Sequence, residues 1–260
     1  MEELSLADEE LAQWGKIMHG LALHVSDDGV VEQFKGYFGL DELDWEHYRE
    51  KYGDIHRLDR IMKSEGKSPD DFKLAKQADF LMSFYNLGTL EVQGILNGLG
   101  YKLTKDFAKR NFDYYLARTS HGSTLSRLVH ARLAWEMGMS DKGWGLFMDA
   151  LRSDLVDIQG GTTGEGIHCG VMAGTVYDVL VSYAGLNLRG DVPALDPKLP
   201  GHWKGLDFRF NFRGKTYFVS ISGQQIKISC ENMGKDQIKF HLCGEEVVLS
   251  DGKIVSAAIK

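Results

Sequence analysis

The sequence predicts a mainly α protein with a C-terminal β part, and three observations carry that prediction. Apolar residues follow a helical period from near the N-terminus to about residue 188, and after Gly190 they alternate with a period of two. Three polar motifs recur at nearly equal intervals: Lys76-Gln77, Thr119-Ser120-His121-Gly122-Ser123 and Gly164-Glu165-Gly166-Ile167-His168. Lys76 lies 45 residues before His121, and His121 lies 47 before His168. That interval is about the length of an antiparallel helix pair, the unit of helical repeats and of double-layered helical rings. Each motif stands at or near the start of an apolar helical run, so all three are expected at one end of the array, lining one mouth.

The first helix is expected from Asp8, where Glu9 and Glu10 suit the positive end of a helix and Leu11, Trp14, Ile17, Met18 and Leu21 make its apolar stripe. Residues 27–71 hold Gly29, Gly36, Gly39, Gly53 and Gly66 among aromatic and charged residues. They read as a long, partly irregular connection, and such connections often carry function. Ser68-Pro69-Asp70-Asp71 predicts a helix start ahead of Ala75, Ala78, Leu81, Met82 and Tyr85.

The next helices differ in their faces. Residues 124–137 are apolar on more than one side, whereas 140–155 carry one stripe of Trp144, Phe147, Met148, Leu151 and Leu155. Residues 169–184 are apolar nearly all round, with Asp178 the only charge. A helix apolar all round is enclosed by others and a one-striped helix has a solvated back, so the expected order is inner, outer, inner.

Beyond Gly190, Leu206, Phe208, Phe210 and Phe212 alternate with polar partners. So do Tyr217, Val219 and Ile221, then Ile226, Ile228 and Cys230, then Ile238, Phe240 and Leu242. Gly214, Gly223, Gly234, Gly244 and Gly252 punctuate these runs as turns, which predicts an antiparallel sheet or sandwich. The break divides the chain into a helical part, 1–190, and a β part, 191–260, with residues 193–200 as the link.

Composition narrows the function. With 260 residues, 43% hydrophobic and 26% charged, the chain is an ordinary globular protein able to bury a sizeable core. A net charge of −7 argues against a broad nucleic-acid-binding surface. No segment approaches the ~20 apolar residues needed to cross a bilayer, so no membrane partner is expected. The opening Met1-Glu2-Glu3-Leu4 lacks the features of a secretory signal. Cys169, Cys230 and Cys243 lack metal-type spacing and read as reduced, buried thiols of a cytoplasmic protein. No metal or organic cofactor is expected.

The chemistry concentrates in two loops. Residues 118–124, RTSHGST, offer a guanidinium, hydroxyls, an imidazole and a glycine that admits close approach, directly before a helix whose N-terminus favours an anion. Residues 160–168, GGTTGEGIH, repeat the recipe two helices later. Converging at one mouth, the two would cradle a phosphate. The plainer readings stand beside this one: Ser, Thr and Gly before a helix are commonly caps, and a Lys-Gln pair is commonly solvated surface. Trp45 reads as a sugar-pocket wall or, more simply, as a buried aromatic contact.

At these residues the sequence resembles the glycoside phosphorylases of family 65, which include kojibiose, maltose and trehalose phosphorylases. The resemblance covers practically the whole chain. It rests on QFKGYFGLDELDW (33–45), YREKYGDIHRLDRIMKSEG (48–66), KQADFLMSFY (76–85), RTSHGSTLS (118–126), GTTGEGIHCGVMAGT (161–175) and LDPKLPGHWKGLDFRFNFRGK (195–215). The Gly-Ile-His and Leu-Arg-Gly-Asp (188–191) segments lean toward the kojibiose or trehalose branch.

The resemblance implies part of an (α/α)6 barrel followed by a small antiparallel β-sandwich, the chain looking like the C-terminal part of such an enzyme. It implies that Lys76 and Gln77 hold the glucosyl unit. It also implies that Ser120, Gly122, Ser123 and His168 bind phosphate, with His121 close by, and that inorganic phosphate is a co-substrate alongside an α-linked glucose disaccharide. The family's general acid is a glutamate in a Gly-Pro-Asp-Glu-Tyr type motif, and no such motif occurs here. Glu165 lies on the expected phosphate side and is a poor substitute for a leaving-group acid.

Turnover by the isolated chain is therefore expected to be negligible, and part of a helical ring is expected to self-associate or to take a polypeptide that completes it. Two other readings stay open: a non-catalytic remnant that binds sugar or phosphate or serves as an interaction module, and a hydrolase of the same family.

Overall fold

A computed structural model describes residues 6–259 apart from 22, 160 and 162. The opening Met1-Glu2-Glu3-Leu4, and residues 160 and 162 of the second polar loop, therefore lie outside the described residues. The helical part begins with α1 (Asp8–Gly20), α2 (Trp45–Tyr52) and α3 (Leu58–Ser64). The segment read as a connection thus contains two short helices, each ended by a glycine with positive φ, Gly53 and Gly66. α4 (Leu81–Leu87), α5 (Thr89–Gly98), α6 (Phe107–Leu116), α7 (Thr124–Glu136), α8 (Ser140–Arg152) and α9 (Cys169–Asp178) follow, the last running on as a π-turn through Tyr183.

The helix expected from Ser68 does not form as read. Ser68 caps a single 3-10 turn, accepting a hydrogen bond from the Asp70 N–H. Irregular backbone with bridges at Phe72 and Ala75 then leads to α4, which starts only at Leu81. The reason lies elsewhere in the chain. Ala75 pairs with Thr119 in a parallel bridge, its N–H on the Arg118 carbonyl at 2.8 Å and its carbonyl on the Ser120 N–H at 2.9 Å. A tertiary ladder has claimed the backbone groups that helix would have used.

α7 is the central helix, with ten of its 13 residues buried, as its all-round apolar pattern predicts. Its neighbours come close at glycines. A Cβ on Gly143 of α8 would sit 3.0 Å from the Ala131 carbonyl, and one on Gly174 of α9 would sit 2.2 Å from Leu128 Cδ2. The main core gathers Leu81, Phe84, Phe107, Phe112, Leu128 and Leu133 with Tyr37 and Val31 from the early segment.

Two faces depart from expectation. α9 is not enclosed: Val171, Thr175 and Asp178 are buried, while Val176 is 64% and Tyr177 43% exposed. The stripe of α1 is bare too, with no buried residue on that helix. Among the described residues nothing covers these surfaces, so the one-sided stripe of α1 and the all-round apolar pattern of α9 both meet solvent.

The β part forms two four-stranded sheets. One, ordered β3-β4-β5-β8, pairs Gly205–Phe212, Lys215–Ser222, Gln225–Glu231 and Val255–Ala258, antiparallel throughout. The other, β1-β2-β6-β7, pairs Leu186–Asn187, Ala194–Leu195, Ile238–Leu242 and Glu245–Leu249, antiparallel except between β2 and β6. Tyr217, Val219, Ile221, Ile226, Ile228, Phe240 and Leu242 fill the space between. All five turn glycines have positive φ. Residues 193–200 are more than a link, because β2 lies inside them and Pro193, Pro197 and Pro200 are buried. Tyr183, Trp203, Trp144 and Phe147 pack together and seat the sheets on the helices.

Candidate functional site

The bridge that cancels the early helix also assembles the site. By holding residues 75–76 against 119–120 it sets Lys76-Gln77 beside the Ser120–Ser123 turn. Gly122 makes the contact possible: a Cβ there would lie 2.5 Å from the His56 carbonyl and 3.0 Å from Lys76 Cγ. The preceding His121 adopts φ 54°, which turns the chain sharply into α7. Its carbonyl is fastened by Gln159 Nε2 at 2.8 Å and by the buried Arg127 at 3.2 Å.

These turns and the second loop enclose a cleft of about 480 Å³ lined by Arg57, Lys76, Gln77, Asp79, Gly122, Ser123, Thr124, Gln159, Glu165 and His168. The N-termini of α7 and α9 both open into it, with Ser123 and His168 at the N-cap positions. Neither side chain caps its helix. The hydroxyl of Ser123 is thus left toward the cleft, and helix N-termini favour an anion there.

His168 is held by Asp154. One carboxylate oxygen accepts from the His168 backbone N–H and the other pairs with Nδ1, both at 2.7 Å, and the Asp154 side chain is nearly buried. With Nδ1 engaged, Nε2 is the nitrogen left for the cleft, where the Glu165 carboxylate stands 4.0 Å away. Arg57 and Lys76 add positive charge, both leaning on Asp59, at 3.7 and 4.0 Å. Burial pushes the Asp79 carboxyl above the usual range, and a hydrogen bond from Gln77 pulls it back.

Lys76, Gln77, Gly122, Ser123 and His168 therefore share one cleft, with Ser123 and His168 on the same space. Ser120 lines an adjoining cavity. His121 turns away: its Nδ1 meets Ser126 Oγ at 3.0 Å and its ring packs edge-on against His130 at 4.7 Å. Burial, with His130 and Arg127 nearby, pushes its pKa down to about 2, so the ring is neutral. Arg118 turns away as well, pairing with Glu42 and stacking on Tyr114. Trp45 packs in a side cluster with Leu43, Tyr48 and Leu58 and is not among the residues that line the cleft. Among the described residues no group of three His, Cys, Asp or Glu is placed to hold a metal ion. Cys169 is exposed, against the expectation of burial, because it starts the bare helix α9; Cys230 and Cys243 are buried. Sequence reasoning passed over Arg57, Gln159 and Asp154.

The profile of the glycosyl hydrolase family 65 central catalytic domain matches residues 1–177, and that of the family's C-terminal domain matches residues 186–249. The chain belongs to glycosyl hydrolase family 65. It is 44% identical over 221 residues to trehalose 6-phosphate phosphorylase of Lactococcus lactis, covering 85% of this chain and 29% of that protein. It is 26% identical over 262 residues to kojibiose phosphorylase of Halothermothrix orenii, covering 98% of this chain and 31% of that protein. A putative kojibiose phosphorylase from the human microbiome shares the fold, with a TM-score of 0.72 at 22% identity over 98% of this chain and 35% of its own. This family 65 chain thus spans 29–31% of the length of those two relatives. Among its described residues no helix is long and apolar enough to cross a membrane.

Proposed function

We propose that this chain is the C-terminal part of an inverting phosphorylase of α-linked glucose disaccharides. It would contribute the phosphate cradle and part of the glucosyl subsite. The observation that carries the reading is the single cleft shared by Ser123, Gly122, His168, Lys76 and Gln77 at two helix N-termini. In that cleft the backbone N–H groups, the Ser123 hydroxyl, His168 Nε2 and Arg57 hold inorganic phosphate, while Lys76 and Gln77 hold the glucosyl hydroxyls.

A phosphate oxygen then attacks the anomeric carbon from the face opposite the leaving sugar, and the glycosidic C–O bond breaks. The freed oxygen takes a proton from a general acid, and the product is β-glucose 1-phosphate. Inverting hydrolases use a second carboxylate to activate water. Here the nucleophile is already an anion, and a cradle replaces that base. The general-acid motif is absent from this sequence, and general-acid assistance is worth roughly 10²–10⁴-fold. The chain alone is accordingly inactive in this reading. The names of the relatives span trehalose 6-phosphate and kojibiose, which leaves the acceptor sugar to this chain's own residues.

The bare apolar faces of α1 and α9 suit a second copy or a polypeptide completing the ring. Two reduced buried thiols agree with a cytoplasmic setting.

Calorimetric titration of the full chain with inorganic phosphate tests the cradle: binding lost in His168→Ala and Ser123→Ala is expected, and no binding at all would leave only an interaction module. Incubation of an α-glucoside with and without phosphate tests the chemistry. Glucose 1-phosphate released by the chain alone would sink the claim of inactivity, and phosphate-independent glucose release would favour a hydrolase.

A further inference from the structure

The two loops of the cleft are distant in the chain, and one hydrogen bond holds them to each other. Gln159 belongs to the second loop, is 2% exposed and sends Nε2 to the His121 carbonyl of the first at 2.8 Å. Among the described residues no other hydrogen bond joins residues 118–124 to residues 158–168. The carbonyl it meets belongs to the residue most in need of holding. His121 has φ 54°, a left-handed backbone disfavoured for any residue with a Cβ. A trans peptide keeps N–H and C=O on opposite sides, so whatever fixes the His121 carbonyl also fixes the Gly122 N–H.

A carbonyl oxygen has two lone pairs, and here both are used. Gln159 takes one and Arg127 Nη1, at 3.2 Å, takes the other. Both donors are themselves anchored. Arg127 is 2% exposed on α7, with its Nε 3.8 Å from Asp149. Gln159 sits in a turn built round Asp157, whose carboxylate oxygens accept from the Gln159 N–H at 3.2 Å and from the Gly161 N–H. Gly122, the next residue along, lies against the His56 carbonyl with no room for a Cβ. The turn before α7 is thus gripped by α7 itself, by the early segment and, through Gln159, by the loop that leads to His168.

We propose that Gln159 is a positioning residue for phosphate: through the His121 carbonyl it latches the second loop to the first and so fixes the spacing of Ser123 and His168 across the cleft. The inference rests on the phosphate-cradle reading and adds to it a side chain that acts through another residue's backbone.

The test is calorimetric titration of the full chain with inorganic phosphate, set beside amide hydrogen exchange of the phosphate-free protein. Gln159→Met keeps the length of the side chain and removes the donor. It should weaken phosphate roughly tenfold, the size of one neutral hydrogen bond. It should also quicken exchange at Ser120 and Ser126 several-fold before any phosphate is added. Those N–H groups bond to the Ala75 and Ser123 carbonyls at 2.9 and 3.1 Å, so they report the turn and not the ligand. Gln159→Glu supplies a rescue. Its carboxylate repels both carbonyl and phosphate, whereas the protonated acid donates an O–H to the carbonyl. With an ordinary pKa of about 4.3, raised by burial, this variant should bind phosphate less well than Gln159→Met at pH 8 and better at pH 5. Titration of phosphate and of His168 is common to the two variants and cancels in that comparison. Weakened phosphate with unchanged exchange would make Gln159 a direct ligand and overturn the latch, as would a Gln159→Met chain that binds phosphate like wild type. A wild-type chain that binds no phosphate, with exchange still quickened in Gln159→Met, would instead discard the cradle reading and keep the tie between the loops.

Discussion

Asp154 binds His168 twice, through the backbone N–H and through Nδ1, each at 2.7 Å, so a single nearly buried carboxylate sets both the start of α9 and the orientation of the imidazole. The pairing assigns Nδ1 the role of donor to Asp154 and leaves Nε2 for the cleft. Asp154→Asn keeps the shape but replaces an anionic acceptor with a neutral amide. Losing one charge-assisted hydrogen bond costs about 1.5–3 kcal/mol, which is roughly ten- to a hundredfold in affinity. Inorganic phosphate should bind the variant more weakly by that factor, and the ¹⁵N signals of the His168 ring should show a changed tautomer. An unchanged ring spectrum would make Asp154 a helix anchor only.

Gly122 is the second point of leverage. Any side chain there meets backbone, the His56 carbonyl at 2.5 Å, which has no flexible end to give way. Gly122→Ala should therefore separate the Ser120–Ser123 turn from the Lys76 segment. Overpacking of this kind costs about 1–3 kcal/mol, read as a lower urea midpoint, together with loss of phosphate binding. Gly164→Ala, which meets nothing within 4 Å, is the control and should behave as wild type in stability.

How much of this was legible in the sequence depends on the range of the forces involved. The 45- and 47-residue intervals placed Lys76, Ser123 and His168 at one mouth, because helix-pair length is a local property of the chain. The period change after Gly190 marked the β part for the same reason. The late start of α4 was illegible, since it is decided by the Ala75–Thr119 bridge, across 44 residues of chain. Asp154 was illegible as well. It lies 14 residues before His168 and reads locally as one more acid after a helix. Arg57 was hidden in what looked like an irregular connection. The orientation of His121 was misleading: a histidine between Ser and Gly looks like a ligand, yet its αL backbone turns the ring into the core toward His130. β1, β2 and β8 have two to four residues each, too few for a period to register, and β7 runs Val247, Val248 and Leu249 together without alternation.

The bare faces make their own prediction. Leu90 is 83% exposed, Val176 64% and Trp14 50%, on three different helices. Scattered single residues of this kind are ordinary, but a whole uncovered stripe on α1 and bare apolar residues on α9, which reads as an inner helix, are not. Sedimentation velocity should show concentration-dependent association of the wild-type chain. Val176→Glu and Trp14→Glu should shift it toward the monomer without lowering the melting temperature by more than a degree or two, since neither residue is packed. A wild-type chain that stays monomeric at all concentrations would remove the case for a second copy.

Asp178 sits 2% exposed on α9, and neither of its oxygens has a hydrogen-bond donor at ordinary geometry. Burial raises its pKa to about 7, and the nearby Arg132 and the Tyr85 hydroxyl pull the other way without cancelling it. In the unfolded chain an aspartate titrates near 3.9. Below about pH 4 both states hold the proton, and the group is neutral to stability. Between about pH 4 and pH 7 the unfolded state gives up its proton while the folded state keeps it, so the unfolded state binds fewer protons and stability falls as pH rises. Above about pH 7 both are ionised and the loss levels off. At about 1.4 kcal/mol per pKa unit, the full span is at most about 4 kcal/mol. Urea unfolding at pH 5 and pH 8 should therefore show a lower midpoint at pH 8, and Asp178→Asn should remove most of that difference by gaining stability chiefly at the higher pH. If the variant keeps the wild-type slope, the pH dependence arises from other groups, and the buried carboxyl is ionised throughout on the arm of Arg132.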